Sequence, residues 1–202
     1  MIVQSLMIKD PFTISDRTSV QEAIHLMQDK SIRHLPVVDK SHRLVGWATL
    51  SDMKQGLLPA MVTGLSVADI MVKNPITLHP DDDVEVAARV IYEKKIGGMP
   101  VVDDDKKVVG VMTVTDLLNA FIKIMGMLTN GTRLDVNVGK EAQGFEKVSG
   151  IIRDQGGEIV SVGIASDVTD KRIHYFRLKK CLAEPIIKAL DKEGYEVVSS
   201  SG

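Results

Sequence analysis

"GWATLSD" (46–52) and "GVMTVTD" (110–116) are one phrase written twice. In each, an apolar run meets a glycine, then two hydroxyl residues and a carboxylate. The repetition extends outward in both directions. Pro11 and Pro75, Pro36 and Pro100, Gly46 and Gly110, Thr49 and Thr113, Asp52 and Asp116 all stand 64 residues apart. "MIKDPFTI" (7–14) lies over "MVKNPITL" (71–78), and "IRHLPVVD" (32–39) over "IGGMPVVD" (96–103), with no gap. Register kept over that length marks a duplicated module. Two such copies are expected to pack about a pseudo-twofold axis, copy one over residues 1–64 and copy two over 65–128.

Each copy mixes periods. "PFTI" is a short extended piece after a proline. "SVQEAIHLMQDKS" sets Val20, Ala23, Ile24 and Met27 at helical spacing, and "VEVAARVIYEKK" repeats the pattern. "HLPVVD" and "LVGWATL" read as strands, joined by a turn at 39–43, with its counterpart at 103–107. "SDMKQGLL" opens a second helix. The order in each copy is strand, helix, strand, strand, helix.

The chemistry of the phrase suits a nucleotide. A carboxylate at a helix start can accept hydrogen bonds from both hydroxyls of a ribose, and its charge strengthens them. Thr and Ser hydroxyls, backbone N–H groups and the positive end of a helix suit phosphate oxygens. Ser51, Thr115 and the two Asp residues are equally good helix caps, and at this point both readings stand.

The "hPVVD…hhGhhTxxD" signature, present twice at this spacing, resembles a tandem pair of CBS motifs, the Bateman module, over roughly residues 1 to 125. The resemblance implies an αβ module that binds adenosyl compounds (AMP, ADP, ATP or S-adenosylmethionine) in clefts between the motifs, sensing them and not consuming them. It implies one cleft from Thr77 and the backbone near Ile96 and Gly97 with Thr49, Ser51 and Asp52. The other would join Thr13 and the backbone near Ile32 and Arg33 with Thr113, Thr115 and Asp116. Arg33 and His34 would serve the Asp52 cleft, whereas Gly97 and Gly98 bring no cation to the Asp116 cleft. The plain alternative for Arg33 is a solvated surface charge. A ligand-free assembly module is the alternative for the whole protein.

The repeat stops near 125. "LLNAFIKIMGML" (117–128) is a helix apolar around most of its circumference, as interface helices are. "TNGT" (129–132) reads as a turn. Beyond it come a strand "RLDVNVG", a helix "FEKVSGIIRDQGG", strands "EIVSVGIAS" and "RIHYFRLK" around the turn "DVTDK", a helix "LAEPIIKALDKEG", and a strand "YEVVSS". βαββαβ is the ferredoxin-like, α+β arrangement. Residues 129–202 resemble an ACT domain, which implies dimerisation or a second effector. "GKEAQGF" keeps Gly144 but lacks the proline that often precedes it in ACT modules, so a dimerising domain without ligand stays open. The full order resembles the acetoin-utilisation regulatory family. A homodimer, a regulated partner protein and a cytoplasmic location are expected.

Other classes find little support. Net charge is −2 and aromatics are 4%, against the basic faces and stacking platforms of nucleic-acid binders. The N-terminus lacks the basic and apolar regions of a signal peptide, and no run reaches a membrane span. His25, His34, His42, His79 and His174 show no metal-ligand spacing with Cys181 or one another. Neither G-x-S-x-G nor a Walker A run is present. Cys181 follows Lys179 and Lys180, which favour a thiolate, but a lone cysteine at a strand end is expected to be structural. Asp81–Asp83 and Asp103–Asp105 read as a helix start and a solvated turn. No catalysis and no cofactor beyond a regulatory adenine nucleotide are expected.

Overall fold

The computed structural model describes residues 1–56, 65–128, 130–165 and 172–202. It has two compact units, Met1–Leu118 and Asn119–Gly202. Their boundary falls inside a helix, where the sequence pattern suggests a break after residue 128.

The first unit holds β1 (Ile8–Lys9), β2 (Ile14–Ser15), α1 (Val20–Asp29), β3 (His34–Val38), β4 (Leu44–Thr49) and α2 (Leu50–Gly56). Then come α3 (Val67–Ile70), β5 (Val72–Lys73), α4 (Val84–Lys94), β6 (Gly98–Val102), β7 (Val108–Thr113) and the start of α5 (Val114–Ile124). The Ser19 hydroxyl accepts from the Glu22 amide while the Glu22 carboxylate accepts from the Ser19 amide, so α1 begins on a capping box. Val20, Ala23, Ile24 and Met27, the residues at helical spacing, are buried. Both hairpins form: His34 to Val38 pairs antiparallel with Leu44 to Thr49, and Gly98 to Val102 with Val108 to Thr113.

The duplication reaches the backbone. Among the described residues, six other than glycine have positive φ: Asp10, Ser31, His42, Asn74, Lys95 and Lys106. They form three pairs at the repeat offset. The two hairpin turns meet: the Leu44 amide donates to the Lys106 carbonyl (2.9 Å) and the Val108 amide to the His42 carbonyl (3.3 Å).

The start of each copy belongs to the other copy's sheet. β1 pairs with β7, and β5 pairs with β4. The cores follow this exchange: Val67, Ile70 and Met71 pack with Leu35, Val37 and Ala48, whereas Val3, Leu6 and Met7 pack with Met99, Val101 and Met112. The exchange gives the glycines of the repeated phrase their role. A Cβ at Gly46 would collide with the Met71 side chain, and one at Gly110 with Met7 and with the Ile8 carbonyl. Gly46 and Gly110 therefore leave room for the crossing segments. The sequence reading has no counterpart for β1, β5 or α3, since segments of two to four residues carry no periodicity to detect.

The second unit holds the rest of α5, then β8 (Gly131–Asn137), α6 (Gly144–Asp154), β9 (Ile159–Ala165), β10 (Ile173–Lys179), α7 (Ala183–Lys192) and β11 (Glu196–Ser201). The four strands form one antiparallel sheet in the order β11-β8-β10-β9. Val148 and Ile152 of α6 and Ile186 and Leu190 of α7 pack on Leu134, Val136, Phe176 and Leu178. The expected turn "DVTDK" lies outside the described residues. The interface-type helix starts at Val114, earlier than expected, because Thr113 and Asp116 form a reciprocal cap there, and it ends at Ile124. Its Leu118, Phe121 and Ile124 are exposed.

Candidate functional site

The strand-to-helix junctions carry the chemistry. Thr49 closes β4 and caps α2. Its hydroxyl accepts from the Asp52 amide (3.2 Å) and donates to Asp52 Oδ2 (2.7 Å). The second copy repeats this: Asp116 Oδ2 accepts from the Thr113 amide (2.8 Å) and hydroxyl (2.6 Å). The capping pair is therefore Thr49 with Asp52 and Thr113 with Asp116. Ser51 and Thr115, read from sequence as caps, instead stand in the first helical turn and are exposed. In both copies the carboxylate has one oxygen held and one without a protein partner among the described residues.

A cavity of about 900 Å³ opens beside the first junction. Thr49, Leu50, Ser51 and Asp52 form one wall, and Ile96, Gly97 and Gly98 form another. Val72, Pro75, Ile76 and Pro100 add apolar surface. Arg33, Lys54 and Lys95 bring three cations against the single carboxylate of Asp52. Lys95 ends α4 in the left-handed conformation (φ 54°), which turns the chain into the Ile96–Gly98 wall.

His34 and Trp47 share this cavity, with rings stacked at 5.5 Å and 21° between planes. Burial holds the His34 imidazole below its ordinary pKa, Arg33 adds to that, and the Asp52 charge opposes it. Burial thus disfavours the charge that the sequence suggests for His34, which stands as a stacking group, and the cations lining the cavity are Arg33, Lys54 and Lys95. The imidazole also accounts for Gly97. A Cβ there would lie 2.8 Å from His34 Nε2. The unlike pairs Arg33-His34 and Gly97-Gly98 are complementary: the ring of one copy fills the space that glycine leaves in the other.

Of the first set read from sequence, Arg33, His34, Thr49, Ser51, Asp52, Ile96 and Gly97 line this cavity and Thr77 does not; its neighbour Ile76 does. Of the second set, Thr13, Ile32, Thr113, Thr115 and Asp116 lie outside it, and Ile32 packs on the first core. Trp47, Lys54 and Lys95 were missed. Lys54 follows Asp52 by two positions and Lys95 directly precedes Ile96, so the repeat frame already pointed to both places. Among the described residues, no group of three His, Cys, Asp or Glu is placed to hold a metal ion. No described helix is long and apolar enough to cross a membrane.

The family model described as CBS domain matches residues 3–58 and again 67–123. A homoserine O-acetyltransferase of Methanohalobium evestigatum is 36% identical over 115 residues, 57% of this chain and 23% of that protein. The chain spans under a quarter of the length of the curated relatives it matches. The solved CBS domain pair of protein MJ0100, in complex with 5'-methylthioadenosine and S-adenosylmethionine, is 34% identical with a TM-score of 0.56, covering 60% of this chain and 95% of that one. CBSX2 of Arabidopsis thaliana, solved with AMP, is 29% identical with a TM-score of 0.55, covering 61% and 97%.

Proposed function

The chain belongs to the CBS domain family, with two copies in tandem, and from that premise we propose that it is a regulatory sensor of adenosyl ligands which binds an adenine nucleotide in the Asp52 cavity. The observation that carries the reading is the composition of that cavity. It joins a carboxylate whose second oxygen has no partner among the described residues, three cations and a set of apolar walls in about 900 Å³, within the size range of small-molecule sites. The Asp52 carboxylate accepts the ribose hydroxyls, the apolar walls take the base, and Arg33, Lys54 and Lys95 meet phosphate oxygens. The relatives solved with AMP and with S-adenosylmethionine support the ligand class. The Asp116 junction, with Thr13, Ile32, Thr113 and Thr115, is the second and weaker subsite. The three positive side chains favour phosphorylated ligands over S-adenosylmethionine, whose sulfonium is itself a cation.

In this reading the protein regulates and does not catalyse. Residues 1–64 and 65–128 are the two motifs, and 129–202 is an ACT-like, ferredoxin-like domain. The element order βαββαβ and the strand order β11-β8-β10-β9 support that assignment. The exposed apolar residues of α5 favour a homodimer and, through it, a regulated partner protein. The acetoin-utilisation family, which the whole arrangement resembles, supplies the pathway reading.

Titration calorimetry tests the proposal. AMP or ATP should bind with a Kd between about 1 μM and 1 mM, some −4 to −8 kcal/mol. Asp52→Ala should weaken binding by about 1.5–3 kcal/mol, the scale of hydrogen bonds to a charged group, with Trp47 fluorescence reporting retention of the fold. If neither nucleotide nor S-adenosylmethionine binds below about 5 mM, the sensor reading fails and the assembly module takes its place.

A further inference from the structure

The sheet of the second unit has two faces, and α6 and α7 cover one. Side chains alternate along a strand, so Arg133, Asp135, Tyr175 and Arg177 share the other. The register sets Arg177 opposite Arg133, and Tyr175 opposite both Asp135 and Gly163. Two arginines thus stand opposite each other on neighbouring strands, a like-charge pairing that is disfavoured.

Of the two, only Arg133 has an acidic partner among the described residues. Asp135 is buried and grips Arg133 in a fork, Nε to Oδ1 and Nη2 to Oδ2, both 2.7 Å. Arg133 also lies over the Tyr175 ring at 5.1 Å. Arg177 has no acidic partner among the described residues. It lines a cavity of about 450 Å³ whose apolar side is Phe121, Met125 and Ile164. The Ser161 hydroxyl donates to the Met125 carbonyl (2.8 Å), which fixes the chain after α5 over the sheet. Gly163 allows that approach, since a Cβ there would lie 2.8 Å from Met125 Cε.

The cavity therefore combines an apolar wall with one uncompensated positive charge. We propose that it is a binding site for a small organic monoanion, whose carboxylate pairs with Arg177 and whose apolar body rests on Phe121, Met125 and Ile164. An oxygen fork from the ligand supplies what Asp135 supplies to Arg133, and it relieves the cross-strand repulsion. An amino-acid zwitterion is a poor occupant. Its ammonium would need an acceptor; among the described residues no Asp or Glu lines the cavity, and the Asp135 carboxylate is held at both oxygens by Arg133.

The test uses the full chain and three probes of one shape: phenylacetate (a monoanion), phenylacetamide (neutral) and phenylalanine (a zwitterion). Calorimetry should show saturable phenylacetate binding with a Kd on the order of 1 mM. Phenylacetamide and phenylalanine should bind at least about tenfold more weakly, the worth of one charge-assisted fork. Arg177→Met keeps the stem and removes the charge, and it should weaken phenylacetate by at least about tenfold. Lys192→Met, which removes an exposed cation from α7, should leave binding unchanged. Equal binding of the acid and the amide overturns the proposal. So does an unaltered Kd in Arg177→Met, or no saturation by phenylacetate up to about 20 mM. Equal binding of phenylalanine overturns the monoanion assignment. If Arg177→Met fails to fold by circular dichroism, the comparison of acid and amide on the natural chain still decides.

Discussion

Gly97→Ala should destabilise the first unit through one contact, and a second substitution should remove that cost. The added methyl would sit 2.8 Å from His34 Nε2 and 3.0 Å from Cε1, where ordinary contact begins at 3.4 Å. His34 cannot yield freely, because its ring is stacked on Trp47 at 5.5 Å. Overpacking of this kind costs about 1–3 kcal/mol. The cheapest escape is loss of the stack, worth about 0.5–1.5 kcal/mol. The expected loss is therefore about 1–1.5 kcal/mol, near the lower end of the first range. Gly97 is not among the glycines with positive φ, so alanine brings no backbone strain. With His34→Ala in place, Gly97→Ala should cost under about 0.5 kcal/mol, which leaves a coupling of about 1 kcal/mol. Urea unfolding followed by tryptophan fluorescence measures this, because Trp47 is the only tryptophan and so reports the first unit alone. An equal cost of Gly97→Ala in both backgrounds would refute the packing argument.

Two further outcomes are expected. Burial, then Arg33, lowers the His34 pKa, so the unfolded chain takes up a proton near pH 6.5 that the folded chain refuses. The unfolded state then binds more protons, and this contribution to stability is complete above about pH 6.5 and is lost as pH falls from there through the depressed folded value. Unfolding by tryptophan fluorescence should show a steeper acid-side decline in the natural chain than in His34→Gln, and parallel curves would contradict the assignment. Light scattering should give a mass about twice 22.1 kDa if the exposed face of α5 pairs two chains, and a monomer at micromolar concentration would end that reading.

The repeat made most of the first unit legible. A fixed offset of 64 residues aligned prolines, glycines and carboxylates, and apolar spacing placed α1, α4 and both hairpins. These are local properties: a helix face, a turn and a cap each need only residues within a few positions of one another. The Thr-x-x-Asp phrase belongs to the same class, since Thr49 and Asp52 bond across one helical turn. What the phrase does beyond capping depends on which distant residues stand opposite it.

Those distant choices were made by the tertiary structure. No periodicity announces that β1 joins β7 or that β5 joins β4, because two-residue strands gain their stability from the sheet they enter. That exchange, and not a turn, is why Gly46 and Gly110 have no side chain. His34 reads as a cation in sequence and is a stacked ring in the fold, where burial disfavours its charge. Lys95 enters the cavity because the end of α4 turns left-handed there. In the second unit the pattern determined the order of strands and helices. Only their register set Arg177 opposite Arg133 and left one positive charge without an acidic partner among the described residues, beside an apolar wall. Short-range spacing is written along the chain, whereas desolvation, stacking and cross-strand charge arise only when segments far apart are brought to contact distance.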